Sequence, residues 1–116
     1  MEIKLRRANT TYVIDINGEM DLYNAFKLKD IVTVMIGKQI REFVINLENV
    51  EYIDSSGIGA LLTVHSEVKK RGMAVRFANV KGSVKRVIEL TKLSGYLPIC
   101  SDVNEAVAQI RSTGQL

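Results

Sequence analysis

Five residues in the middle of the chain, Phe43-Val44-Ile45-Asn46-Leu47, form a nearly unbroken apolar run bounded by polar residues. A strand with one wet face alternates polar and apolar positions. A short run that is apolar at both parities is what a strand needs when it is covered on both faces, and that environment is typical of a parallel sheet flanked by helices. The run therefore predicts an α/β protein, and the remaining sequence must supply the flanking helices.

It does so in order. Ile3 and Leu5 alternate with Glu2, Lys4 and Arg6, and Tyr12, Ile14 and Ile16 alternate with Val13, Asp15 and Asn17. Ala8-Asn9-Thr10 between them is turn-like, so an antiparallel hairpin is expected to open the domain, with Asn17-Gly18-Glu19 breaking the second strand. From about Leu22 to Ile36, Ala25, Leu28, Val32, Met35 and Ile36 recur at helical spacing, and Gly37 is a plausible stop. Beyond the apolar run and a short connection, a second helix puts Ile58, Leu61, Leu62, His65 and Val68 on one stripe. Lys69-Lys70-Arg71 then meets its negative end, and Gly72 follows.

Met73 to Phe77 reads as another strand, followed by a helix with Ser83 as the expected cap and Val84, Val87 and Ile88 facing inward. Leu97 to Cys100 fits a last strand, and Pro98, the only proline, favours an edge position or a strand end. A final helix opens at Asp102 with Glu105 three residues on, a capping-box spacing, and carries Val103, Ala106, Val107 and Ile110 on one stripe. The order β-β-α-β-α-β-α-β-α predicts a mixed, mostly parallel sheet with four helices in one domain over residues 1–116.

Composition narrows the function classes. Sixteen Lys and Arg against thirteen Asp and Glu leave a net charge of +3, with no cluster dense enough for a nucleic-acid footprint. The single cysteine, Cys100, allows no intrachain disulfide and fits a reducing compartment; its default role is that of a small buried hydrophobe. No apolar run approaches the roughly 20 residues of a membrane span, and the N-terminus lacks a signal-peptide core, so a cytoplasmic, soluble protein is expected. No cofactor or metal site is expected: Gly57-Ile58-Gly59 has neither a third glycine at dinucleotide spacing nor a following Lys-Ser/Thr.

The stretch richest in chemistry is Ile53-Asp54-Ser55-Ser56-Gly57-Ile58-Gly59, where a strand gives way to a helix. Helix N-termini leave backbone N–H groups unpaired and carry partial positive charge, so a serine there presents its hydroxyl beside a site suited to an anion. Asp and Ser are also the commonest N-caps, and three cap-competent residues exceed what one cap needs. Gly57 and Gly59 are expected to keep side chains away from a phosphate or an approaching partner. His65 lies ten residues beyond Ser55, about 15 Å along a regular helix, too far to act as its base. Asp21 lies just before the first helix, where an N-cap is one of two readings, and Met20, Leu22 and Tyr23 beside it either pack inward or form part of a docking surface.

Three segments together resemble the STAS domains of bacterial anti-sigma-factor antagonists. Leu47 to Leu62 resembles that family's phosphorylation-site signature, Gly18-Glu19-Met20-Asp21 its Gly-Glu-hydrophobic-Asp motif, and Val84 to Tyr96 its third-helix region. The resemblance implies a switch rather than an enzyme. The unphosphorylated form would bind an ATP-using serine kinase that is also an anti-sigma factor, and so free a sigma factor. Phosphorylation would release it, and a PP2C-type phosphatase would reset it. By the same resemblance Ser55 is the phosphoacceptor, with Ser56 the second choice; Asp21 would lie near Ser55 and contribute to kinase recognition or phosphotransfer, and Asp54 either caps its helix or holds the Ser55 loop in shape. A structural STAS subunit of a stressosome-like or transport-associated complex is the alternative. A monomer is the expected state.

Overall fold

The computed structural model describes residues 1–114. Its elements are β1 (Glu2–Ala8), β2 (Thr11–Met20), α1 (Phe26–Gly37), β3 (Glu42–Ile53), α2 (Ser55–Lys70), β4 (Ala74–Ala78), α3 (Gly82–Leu90), β5 (Ile99–Cys100) and α4 (Val103–Gly114). The five strands form one sheet in the order β1-β2-β3-β4-β5. β1 pairs antiparallel with β2, as a hairpin must, and every later pairing is parallel. The predicted α/β class and element order hold.

Because each crossover moves the sheet one strand further in the same direction, crossovers of one hand must leave α1, α2 and α3 on the same face. They do. Leu28, Val32 and Met35 of α1, Ile58, Leu61, Val64 and Val68 of α2, and Val84 and Ile88 of α3 pack with Ile14, Ile16, Phe43, Ile45, Leu47, Val75 and Phe77. Burying each of these larger side chains favours folding by roughly 1.5–3 kcal/mol. Among the described residues the opposite face is covered by α4, through Ala106 and Ile110 against Val13, Val44, Ala78 and Cys100. Phe43 to Leu47 is thus apolar at both parities because its two faces lie in two different cores.

Asn46 is the exception in that run. Only 6% exposed, it donates through Nδ2 to Asp15 on β2 (2.7 Å) and accepts at Oδ1 from Asn79 Nδ2 (2.9 Å) and the Glu48 amide (3.2 Å). Asp15 in turn accepts from Arg6 Nε on β1 at 2.6 Å. Burial alone would raise the Asp15 pKa, but the hydrogen bonds from Arg6 and Asn46 hold it below its usual value.

Several local expectations change. Gly18 adopts φ +98° within β2, and register shifts on both sides of it let the strand run on to Met20 instead of breaking. β3 extends to Ile53, so a single residue, Asp54, separates it from α2. Leu5 lies on the edge strand and is exposed, while Ile3 packs against the main core. α1 begins four residues later than the spacing suggested, after a turn over 22–25. Ser83 does not cap α3: its hydroxyl donates to the Glu51 carbonyl at 2.7 Å and ties the helix to β3, while Lys81 occupies the cap without a side-chain bond. At α4 the capping expectation holds. Asp102 accepts the Glu105 amide at 2.8 Å, and the Glu105 carboxylate accepts from the Ser101 hydroxyl. Cys100 is buried, and burial raises its thiol pKa.

Candidate functional site

The ends of β2 and β3 and the start of α2 meet at one corner. Met20 pairs with Ile53 across the two strands, and the Asp54 amide donates to the Met20 carbonyl at 3.1 Å. Asp54 is the N-cap of α2. Its Oδ1 accepts the amides of Ser56 (2.8 Å) and Gly57 (3.1 Å), and its Oδ2 accepts the Leu22 amide at 3.2 Å. One carboxylate therefore caps the helix and also anchors the β2–α1 connection beside it.

Asp21 organises that connection. Its Oδ1 accepts the Tyr23 amide and its carbonyl accepts the amides of Asn24 and Ala25, while Asn24 Oδ1 accepts the Asp21 amide at 2.9 Å. Asp21 thus fixes the turn ahead of α1 rather than capping the helix itself, whose N-cap is Ala25 without a side-chain bond. The Asp54 bond to Leu22 brings the Asp21 segment next to the start of α2.

The candidate residues divide into an inward and an outward set. Met20 is fully buried, so it belongs to the core and not to a docking surface. Gly57 is also buried. A Cβ there would lie 2.5 Å from Ile53 Cγ1, 2.7 Å from the Met20 carbonyl oxygen and 2.9 Å from Met20 Cβ. The space it leaves is taken by the end of β2, not by a phosphate or partner. Gly59 faces open space.

Outward lie Ser55, exposed on the first turn of α2, and Ser56, half-buried. The Ser55 hydroxyl makes no hydrogen bond to any described residue. Leu22 is 70% and Tyr23 84% exposed, and Phe26, on the first turn of α1, is 56% exposed. Sequence reasoning passed over Phe26. The available signal was its place off the Ala25–Leu28–Val32–Met35 stripe, among Lys27, Lys29 and Asp30. Tyr52, two residues before Asp54, is a second exposed aromatic that the alternation did not single out.

The anion-binding expectation is modified by this geometry. Asp54 already takes two of the N-terminal amides of α2, so a phosphate on Ser55 would meet a carboxylate as well as the positive helix end. Such a group adds charge to the surface without a ready cradle within the domain. His65 is buried, with its ring edge-on to Phe77 and Tyr96, and is separate from this corner. Among the described residues no group of His, Cys, Asp and Glu is placed to hold a metal ion, and no helix is long and apolar enough to cross a membrane.

Comparison with known proteins agrees with this architecture. The chain is 25% identical over 99 residues to the anti-sigma-B factor antagonist of Staphylococcus aureus (strain NCTC 8325 / PS 47), covering 85% of this chain and 92% of that one. It matches the fold of an anti-sigma factor antagonist from Mycobacterium paratuberculosis with a TM-score of 0.84 at 21% identity, over 95% of this chain and 93% of that one. It also matches the Bacillus cell fate determinant SpoIIAA in its phosphorylated form, with a TM-score of 0.71 at 20% identity, over 95% of this chain and 100% of that one. The family model for the STAS domain matches residues 2–106, from the first strand into the last helix. The chain belongs to the STAS-domain family.

Proposed function

We propose that this chain is an anti-sigma-factor antagonist controlled by phosphorylation of Ser55. Its partner is an ATP-using serine kinase that doubles as an anti-sigma factor, and a PP2C-type phosphatase reverses the modification. It acts in the cytoplasm as one STAS unit over residues 1–116, and it regulates by binding rather than by turning over a substrate. The observation that carries this reading is an exposed Ser55 hydroxyl, bonded to no described residue, on the Asp54-capped start of α2 whose cap also holds the segment of the exposed Leu22, Tyr23 and Phe26. The similarity to antagonists named for the sigma-B system, and to one seen in a phosphorylated form, supports it.

The switch follows from charge. A phosphoserine carries about −1.5 to −2 charges at neutral pH. On the surface of the free domain that charge stays hydrated. Under a docked partner it must be desolvated next to Asp54, so the complex is destabilised while the fold survives. Asp21 and Asp54 hold the frame that presents Ser55.

Incubation with the cognate serine kinase and ATP, followed by phosphopeptide mapping, is expected to place the phosphate on Ser55. Ser55→Asp is expected to weaken kinase binding roughly tenfold or more, the equivalent of about 1.4 kcal/mol, with the unfolding midpoint nearly unchanged. Binding of Ser55→Asp at wild-type strength defeats the proposal. Phosphate found on Ser56 moves the acceptor by one residue and leaves the mechanism. A fixed subunit of a larger assembly would co-purify with that assembly whatever residue stands at 55.

A further inference from the structure

Beyond β4 the sheet edge is only half covered. β5 is two residues long and pairs only with Phe77 and Ala78. Alongside the first residues of β4 the sheet therefore ends in a cavity of about 490 Å³, within the range of small-molecule sites. His65 and Lys69 of α2, Arg76 of β4, Gln109 of α4 and Tyr96 of the loop before β5 bound it, and none of its lining residues is acidic.

Three observations give this cavity a chemical preference. Lys69 makes no ion pair with any described residue, the pairs there being Lys4–Glu2, Arg6–Asp15 and Arg71–Glu67. Arg76 is held in place, Nη1 donating to the Val75 carbonyl at 2.8 Å and Nε to Gln109 Oε1 at 3.3 Å, and it forms no ion pair with any described carboxylate, Glu105 being engaged by Gln109 Nε2 at 3.1 Å. His65 is only 6% exposed and neither ring nitrogen is hydrogen-bonded to a described residue, Nδ1 being fully enclosed. A ring nitrogen without a partner in so buried a residue is uncommon, and Nε2, which is not enclosed in this way, is the atom that a bound group could meet. Tyr96, 57% exposed with its ring centroid 5.2 Å from that of His65, supplies a flat wall.

We propose that this cavity binds a small anionic molecule, its oxyanion between Lys69 and Arg76, Nε2 of His65 as hydrogen-bond partner and its body against Tyr96. The site is distinct from the Ser55 corner, since Ser55 and Lys69 lie at opposite ends of α2, roughly 20 Å apart for a regular helix. Burial, then the charges of Lys69 and Arg76, hold the imidazole below its usual pKa. An anion in the cavity opposes both cations and shifts His65 upward.

His65 is the only histidine, so its ring resonances report the cavity directly. The intact chain is titrated by NMR with inorganic phosphate, pyrophosphate and benzoate, against sodium chloride at matched ionic strength. A saturable response is expected at residues 65, 69, 76 and 96, with a higher His65 pKa in the bound form. Saturation by the phosphates or by benzoate identifies which oxyanion the site takes. Lys69→Gln, an exposed position that leaves the fold intact, is expected to weaken binding roughly fivefold. Tyr96→Leu is expected to weaken benzoate more than phosphate. Ser55→Asp is expected to leave the affinity unchanged. Shifts that grow without saturating, that persist unaltered in Lys69→Gln, or that centre on the start of α2 would overturn the proposal.

Discussion

The two sides of the corner at the start of α2 obey opposite rules. On the inner side Met20, Ile53 and Gly57 meet at distances that leave no room for one more carbon. On the outer side Ser55, Leu22, Tyr23 and Phe26 face solvent. Asp54 stands between, satisfying the inner amides with one oxygen and the Leu22 loop with the other. The difference teaches that a regulatory surface can be chemically permissive because the layer beneath it is not. A charge added outside has nothing to displace, while any change inside moves the surface itself.

Substitutions should separate the two sides by size. Gly57→Val brings the largest loss, about 3 kcal/mol of stability by urea unfolding, because the new carbons meet a backbone carbonyl that cannot yield. A wild-type midpoint for that variant would erase the distinction. Asp54→Ala is expected to cost about 1–2 kcal/mol through the lost cap. It should also speed hydrogen exchange at the Leu22, Ser56 and Gly57 amides together, and faster exchange confined to α2 would mean that the tie to the loop is not supported. Gly59→Ala, whose methyl enters open space in a helix, should gain about 0.5–1 kcal/mol.

A smaller effect is expected from pH. The folded pKa of His65 lies below its unfolded value, so the unfolded chain takes up the proton first and stability falls as pH drops through the ordinary histidine range. His65→Leu should flatten that part of the profile, measured by thermal unfolding. It should leave untouched the separate loss below about pH 4 expected from Asp15, whose folded pKa is depressed. Least of all, Leu22→Ser and Tyr23→Ser should change stability by no more than about 0.5 kcal/mol. Their effect belongs in partner binding, and a large stability loss would place these side chains in the inner layer.

The fold was legible in the sequence wherever periodicity carried it. The Phe43–Leu47 run, the α2 stripe and the Asp102–Glu105 cap each appear in the structure as their residue types required. What escaped were features that depend on distant partners. Gly18 looked like a strand breaker because the bulge that absorbs it needs β3 alongside. Ser83 looked like a cap because its bond to the Glu51 carbonyl crosses from one element to another. At the corner, the sequence marked Asp54 and Ser55 through their place before a helix, but it could not sort neighbours by depth. Met20, Leu22 and Tyr23 read as one apolar cluster, and only the pairing of Met20 with Ile53 separates the first from the other two.

Asn46 has a consequence for how the strands find their alignment. Sliding β3 by two residues against β2 would keep every side chain on its proper face, so alternation alone does not forbid the slip. In the slipped sheet the Asn46 amide would lose Asp15 and leave a buried Nδ2 with an unmet hydrogen bond. A single polar residue in an oily strand thus serves as an alignment pin, fixing the position at which the strand delivers its far end, and with it the serine that follows.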